Sequence, residues 1–267
     1  DTSKTFTSRN THRLTGRYEF NIDTTLTIIY NLNARLAFMD GNTSSKTNNI
    51  TYNETPISNK LSIKDDHATT SRVNNQLTVN KKLGKVGRTI SVNATFNYNH
   101  NTAHGGLSGE NGYNVNGNPI VENVDQKKED ELVANVLTAD LAYTEPLSKK
   151  ILMKLSYGLS SDVNHSTKTT RVKPTSSDDY TERIDSLSTD FRSNVFGQTG
   201  GLEFKYNEKK YNITLGSKLR YSTFDQYDLV RNRSYNYDRI NLFPTLRFNY
   251  KFDQFRRFTF SYTGSTK

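Results

Sequence analysis

The residues in this sequence that could do chemistry are five histidines, two groups of carboxylates and a glycine-rich stretch. The histidines are His12, His67, His100, His104 and His165. His100 and His104 stand four apart, where an alternating segment gives way to a polar one. On an extended chain, positions i and i+4 share a face about 13 Å apart, too far for one metal ion. Carboxylates gather at Asp125, Glu129, Asp130 and Glu131, and again at Asp178, Asp179, Glu182 and Asp185. Such pairs hydrolyse glycosides only when a shaped cleft fixes their separation. Here they are mixed with Lys, Ser and Thr and read as solvated charge, with contact to a ligand or divalent ion as the alternative. Gly105-Gly106 and the nearby Gly109 and Gly112 look superficially phosphate-binding, but no Gly-Lys-Ser/Thr follows and no helix begins there. Cysteine is absent, which removes disulfides, thiolate metal sites and thiol nucleophiles. No Ser/His/Asp arrangement is recognisable. The expectation is a chain with no catalytic residues, no metal and no cofactor.

The elements that hold these residues explain why. Of 267 residues, 33% are hydrophobic, and no run of about 18 apolar residues exists, so a transmembrane helix is excluded. Low hydrophobicity and a net charge of +9 would suit a disordered chain, but 16 Tyr and 14 Phe do not. The remaining class is strands whose apolar residues are diluted by strict alternation. That alternation runs nearly throughout. Leu14, Gly16, Tyr18 and Phe20 are interleaved with Arg17 and Glu19; Leu26, Ile28, Tyr30 and Leu32 with Thr27, Asn31 and Asn33. Ile90, Val92, Ala94, Phe96 and Tyr98 stand against Ser91, Asn93, Thr95 and Asn97. Ile213, Leu215 and Leu219, then Leu246, Phe248 and Tyr250, continue the pattern to Phe258, Phe260 and Tyr262. The count is about ten strands, with no helical period of comparable length.

Connections alternate in length. Short turns fall at 23–24, 82–88, 144–150, 207–210 and 251–256; long polar segments, read as loops, at 40–70, 103–131, 160–190 and 223–238. Asp40-Gly41 is a hairpin signal, yet Ile50 and Tyr52 keep the parity of Leu26 and Phe38, which favours one long strand. This is the layout of an antiparallel meander in an outer-membrane barrel, with short turns on the periplasmic side. Ten residues of one parity, as from Tyr211 to Tyr221, rise roughly 25 Å at about 40° tilt, the height of the apolar band. Sandwich strands are shorter, about five or six residues. The predicted fold class is all-β: an up-and-down meander forming part of a transmembrane barrel, as one domain over 1–267.

The parity assigns faces. Leu26, Ile28, Tyr30, Ile90, Val92, Phe96, Ile213, Leu215, Leu246 and Phe248 are expected to face lipid. Arg35, Arg72, Asn74, Lys154, Glu203, Lys218 and Arg220 are expected to face the lumen. Ligand capture falls to the four long segments. Basic residues sit at the short turns, among them Lys81, Lys82, Lys85, Arg88, Lys149, Lys150, Lys209, Lys210, Arg256 and Arg257, where anionic headgroups would lie. That distribution speaks against a nucleic-acid face, which needs one basic patch with stacking aromatics. Sequons such as those at Asn93 and Asn212 fall inside strands and read as chance.

The stretches "GRYEFNIDTTLTIIYNLNA", "KKLGKVGRTISVNATFNYN" and "RFTFSYTGSTK" resemble the barrel region of TonB-dependent receptors, in the outer-membrane β-barrel family abundant in Bacteroidetes. The resemblance implies a bacterial outer-membrane location, a 22-stranded barrel, an N-terminal plug domain and a TonB-type energising protein. A surface lipoprotein is a further candidate partner. Neither a plug nor a TonB-contacting segment is visible here. A full barrel needs about 600 residues, and the chain ends Gly264-Ser265-Thr266-Lys267 without a terminal aromatic. The expectation is therefore a segment of a larger receptor, with a small closed barrel as the alternative. The function expected is energy-dependent uptake of an external ligand. Its rivals are a non-transporting outer-membrane scaffold and a soluble all-β binding protein.

Overall fold

In a computed structural model the alternation is realised as strand along nearly the whole chain; the structure describes residues 1–50, 56–115, 118–174 and 177–265. The strands are β1 (Thr2–Asn21), β2 (Leu26–Ile50), β3 (Pro56–Lys82), β4 (Thr89–Val115), β5 (Asn118–Pro146), β6 (Ile151–Val172), the two-residue β7 (Glu182–Arg183), β8 (Thr189–Asn207), β9 (Tyr211–Asp228), β10 (Arg233–Lys251) and β11 (Arg257–Thr263). Consecutive strands pair antiparallel in chain order, except that β6 pairs with β8 and carries β7 beside its far end. The sheet is open: among the described residues β1 pairs only with β2 and β11 only with β10. A closed ten-stranded barrel, which would join these two strands, does not form.

The five short turns lie where expected, and three share one device. A side-chain oxygen opening the turn accepts the backbone N–H groups two and three residues on, replacing ladder bonds that the reversal removes. Asp23 takes Thr25 at 2.5 Å and Leu26 at 2.8 Å. Ser148 takes Lys150 at 3.2 Å and Ile151 at 3.1 Å. Asp253 takes Phe255 and Arg256, both at 2.8 Å. In the turn before β4, Gly87 has φ +85°, a conformation closed to most side chains.

At the opposite end the long segments correct the sequence reading. Residues 40–70, 103–131, 160–190 and 223–238 are not loops for most of their length. β2 runs unbroken through Asp40-Gly41, and β4 and β5 pair from Thr89–Thr144 up to Val115–Asn118. β9 and β10 meet around a four-residue turn at 229–232. Beyond the apolar band both sheet faces are wet. The period-two signal disappears there although backbone pairing continues, so composition mimics a loop. Among the described residues of these segments, the irregular stretch is the one between β6 and β8, and it is pinned back onto β6. Ser188 Oγ accepts the Thr170 N–H at 3.1 Å and donates to the Ile184 carbonyl at 2.7 Å, while Thr170 Oγ1 donates to the Leu187 carbonyl at 3.2 Å.

Burial is inverted relative to a water-soluble protein. Among the described residues the buried side chains are Ala37, Pro146 and the polar Thr170, Ser188, Ser193 and Ser222. Large apolar residues such as Leu14, Leu215 and Ile240 are 58–69% exposed. An apolar solvent outside the sheet makes that arrangement stable; water does not.

Candidate functional site

Cross-strand partners in an antiparallel ladder share a face, so the register decides what each surface presents. One rung reads Phe20, Ile28, Val79, Val92, Leu141, Tyr157, Gly200, Leu219, Leu242 from β1 to β10. All ten residues expected to be lipid-facing lie on this surface. It begins beside the short turns and ends near Leu14, Phe38, Tyr98 and Tyr221. Tyrosines cluster at its turn-side rim, where Tyr206 and Tyr211 stack at 5.8 Å.

A rung of the other face reads Arg13, Arg35, Arg72, Asn99, Ala134, Asn164, Ser193, Gln226, Tyr235. All seven residues expected to face the lumen lie here, but not as one group. Arg35 and Arg72 are direct partners, with Asn74 one rung away. Lys154, Glu203 and Lys218 line a small hollow of about 70 Å³ four strands further on. Arg220 donates to Ser160 Oγ and Ser222 Oγ, both at 3.0 Å. The face is held by neutral polar contacts: Asn93 Oδ1 accepts from Gln76 at 3.1 Å and Thr78 at 2.9 Å, and Asn74 donates to Asn97. Phe224 and Tyr237 stack at 4.6 Å toward the far end, with Arg239 over Tyr237 at 5.6 Å.

Most of the chemistry-bearing residues named from sequence, including Asp125, Glu129 and Glu131, lie on the outer face beyond the apolar band, whereas Asp130 takes the opposite face and Asp178, Asp179 and Asp185 sit in the segment between β6 and β8. All five histidines share this face. His67 Nδ1 lies 2.6 Å from Asp40, His100 Nε2 2.9 Å from Glu131 and His165 Nε2 2.8 Å from Asp190. His104 stacks on His67 at 5.3 Å rather than approaching His100. Two of the acidic group are held in ion pairs: Glu129 holds Arg171 and Asp125 holds Lys173 at 3.1 Å. The Tyr180 hydroxyl, together with Lys173, keeps the Asp125 carboxyl below its usual range; Arg171 does the same for Glu129. Glu129 and Glu131 join Thr102, His104 and Lys127 around an open depression of about 480 Å³. The glycines of this hairpin serve strand packing: a side chain on Gly105 or Gly109 would collide with the backbone carbonyl of Asp65 or Leu61 on β3.

Sequence reasoning missed two groups. Arg9 and Arg13 share parity with Arg17 on β1, and only the register shows that they join Arg35 and Arg72. The His–carboxylate pairs could not be found from spacing, because each joins two strands.

The apolar outer face, polar inner face and alternating connections describe a barrel wall, and residues 81–266 match a family model described as the outer membrane protein beta-barrel family. The chain belongs to that family. As a member of the outer membrane protein beta-barrel family it is a protein of the bacterial outer membrane. No curated protein matches it. Solved structures similar to it include Pseudomonas aeruginosa FpvA bound to heterologous pyoverdines, with 10% identity over 94% of this chain and 40% of that one, TM-score 0.45. Another is BauA, the ferric preacinetobactin receptor from Acinetobacter baumannii, with 9% identity over 94% and 45%, TM-score 0.43. A third is the translocator domain of the autotransporter NalP from Neisseria meningitidis, with 10% identity over 98% and 82%, TM-score 0.35. The chain spans about 40% of the length of the FpvA structure.

Proposed function

We propose that this chain is part of the wall of an outer-membrane uptake receptor of the TonB-dependent kind, and that it has no catalytic role. The face carrying Leu26, Val92, Ile213 and Phe248 meets lipid, and the face carrying Arg35, Arg72, Lys154 and Arg220 lines a wet interior. The observation that carries the reading is the inversion of burial along a continuous register. Two open edges support a larger cylinder, since unpaired backbone groups in hydrocarbon cost several kcal/mol each and further strands satisfy them. A plug domain then fills the lumen, the long hairpins capture the ligand outside, and a TonB-type protein releases it. A surface lipoprotein that seats on the hairpins is a partner compatible with this design.

The test is uptake of labelled iron chelates, glycans and peptides by cells with and without the intact protein. One class should depend on the protein and collapse when a protonophore removes the energy source. Correct outer-membrane assembly with no dependent uptake would replace the receptor reading with that of a scaffold barrel.

A further inference from the structure

The inner face of β1–β3 concentrates positive charge without counter-charge. Arg13, Arg35 and Arg72 stand directly opposite one another across three strands, and Arg9 lies on the same face of β1, beyond Thr11. Paired Cα atoms are about 4.5–5.5 Å apart, so the three guanidinium groups converge within reach of one another. Among the described residues no carboxylate lies within 4.0 Å of any of the four. Arg17, on the same face, does have such a partner, in Glu19 at 2.9 Å. Among the described residues, the side-chain hydrogen bond in the group is from Arg72 Nε to Asn99 Oδ1 at 2.9 Å.

Two details point to an absent acceptor. Arg35 Nε is buried and has no hydrogen-bond partner. Ala37, on the rung between Arg13 and Arg9, is 4% exposed, so long side chains lie over it. Like charges placed directly opposite repel, and a buried N–H without an acceptor is costly. An oxyanion relieves both, because guanidinium forks match carboxylate and phosphate oxygens in pairs.

We propose that Arg9, Arg13, Arg35 and Arg72 form a binding site for carboxylate or phosphate oxygens on the inner wall. The proposal rests on reading this face as the wet interior. The oxygens come either from a diffusible polyanion or from an acidic side chain of the protein that fills the lumen, and one experiment separates the two.

Thermal melting of the intact protein in detergent, at constant ionic strength, is compared for wild type, Arg35→Gln/Arg72→Gln and Arg239→Gln. Pyrophosphate and citrate at millimolar concentration are the probes. A diffusible anion predicts a rise of about 2–4 °C in wild type and Arg239→Gln that is absent from the double variant. A resident carboxylate predicts no response to either probe, with the double variant melting roughly 2–4 °C below wild type. A probe response that survives in the double variant overturns the proposal. So does the absence of both the probe response and the loss in the variant. Outer-membrane insertion, followed by heat-dependent gel mobility, should be equal in all three proteins; failure of insertion would count against the wall reading rather than against this site.

Discussion

Arginine at Leu77 is the sharpest test of which face meets lipid. Leu77 pairs with Tyr30 on β2 and Ala94 on β4, and it is 41% exposed. The apolar band on β4 runs from Ile90 to Tyr98, with Ala94 at its centre. Eight residues at about 3.3 Å each and ~40° tilt rise about 20 Å, which leaves Leu77 about 10 Å from either edge. Val92, one rung nearer the turn, lies about 5 Å closer to the interface. Arginine costs about 2–4 kcal/mol at the midplane and 0–1 kcal/mol at the interface. Leu77→Arg should therefore cost about 3 kcal/mol and Val92→Arg about 2 kcal/mol. The control is Thr95→Arg on the inner face, flanked by Gln76 and Thr138, which should stay within about 1 kcal/mol. Thr95 is a cleaner control than Asn93, whose side chain accepts two hydrogen bonds. The assay is guanidinium titration of folding into phospholipid vesicles, using the intact protein. A Thr95→Arg cost equal to or above that of Leu77→Arg would refute the assignment of faces.

Protease added to intact cells should cut first between β6 and β8, around 177–181, and leave Lys149-Lys150 intact; early cleavage at Lys149-Lys150 would mean the barrel is inverted. Ser188→Ala should leave the buried Thr170 N–H without its acceptor, at a local cost of about 1–3 kcal/mol, read as faster proteolysis of that same segment with global unfolding unchanged. The Asp23 carboxyl, held by hydrogen bonds from the Thr25 side chain and backbone, has its pKa lowered to about 2. A lowered folded-state pKa means that its contribution is complete above the ordinary carboxylate range and fades as pH falls through about 2, so carbon NMR should find Asp23 ionised at acidities that protonate ordinary aspartates. Asp23→Ala should lower the denaturant midpoint of folding while leaving the neighbouring strands paired.

The sequence by itself determined the strands and their faces. Period-two runs such as Ile90 to Tyr98 can bury one side only as strand, and parity then fixes which residues travel together. Asp23, Ser148 and Asp253 mark their turns locally, because an Asx- or Ser-type turn is a contact within three residues. The far hairpins were illegible for a definite reason: where both faces are wet, nothing selects alternation, so β4 and β5 continue through a stretch that reads as loop. Only the tertiary structure decided what meets across strands. Arg13, Arg35 and Arg72 are 22 and 37 residues apart in sequence yet share one rung, since antiparallel pairing brings each pair together around a turn or a long hairpin. The pairing of His67 with Asp40, and of His165 with Asp190, has the same origin. Register is a property of the assembled ladder, set by turn geometry and by the match of apolar faces, and no single strand contains it.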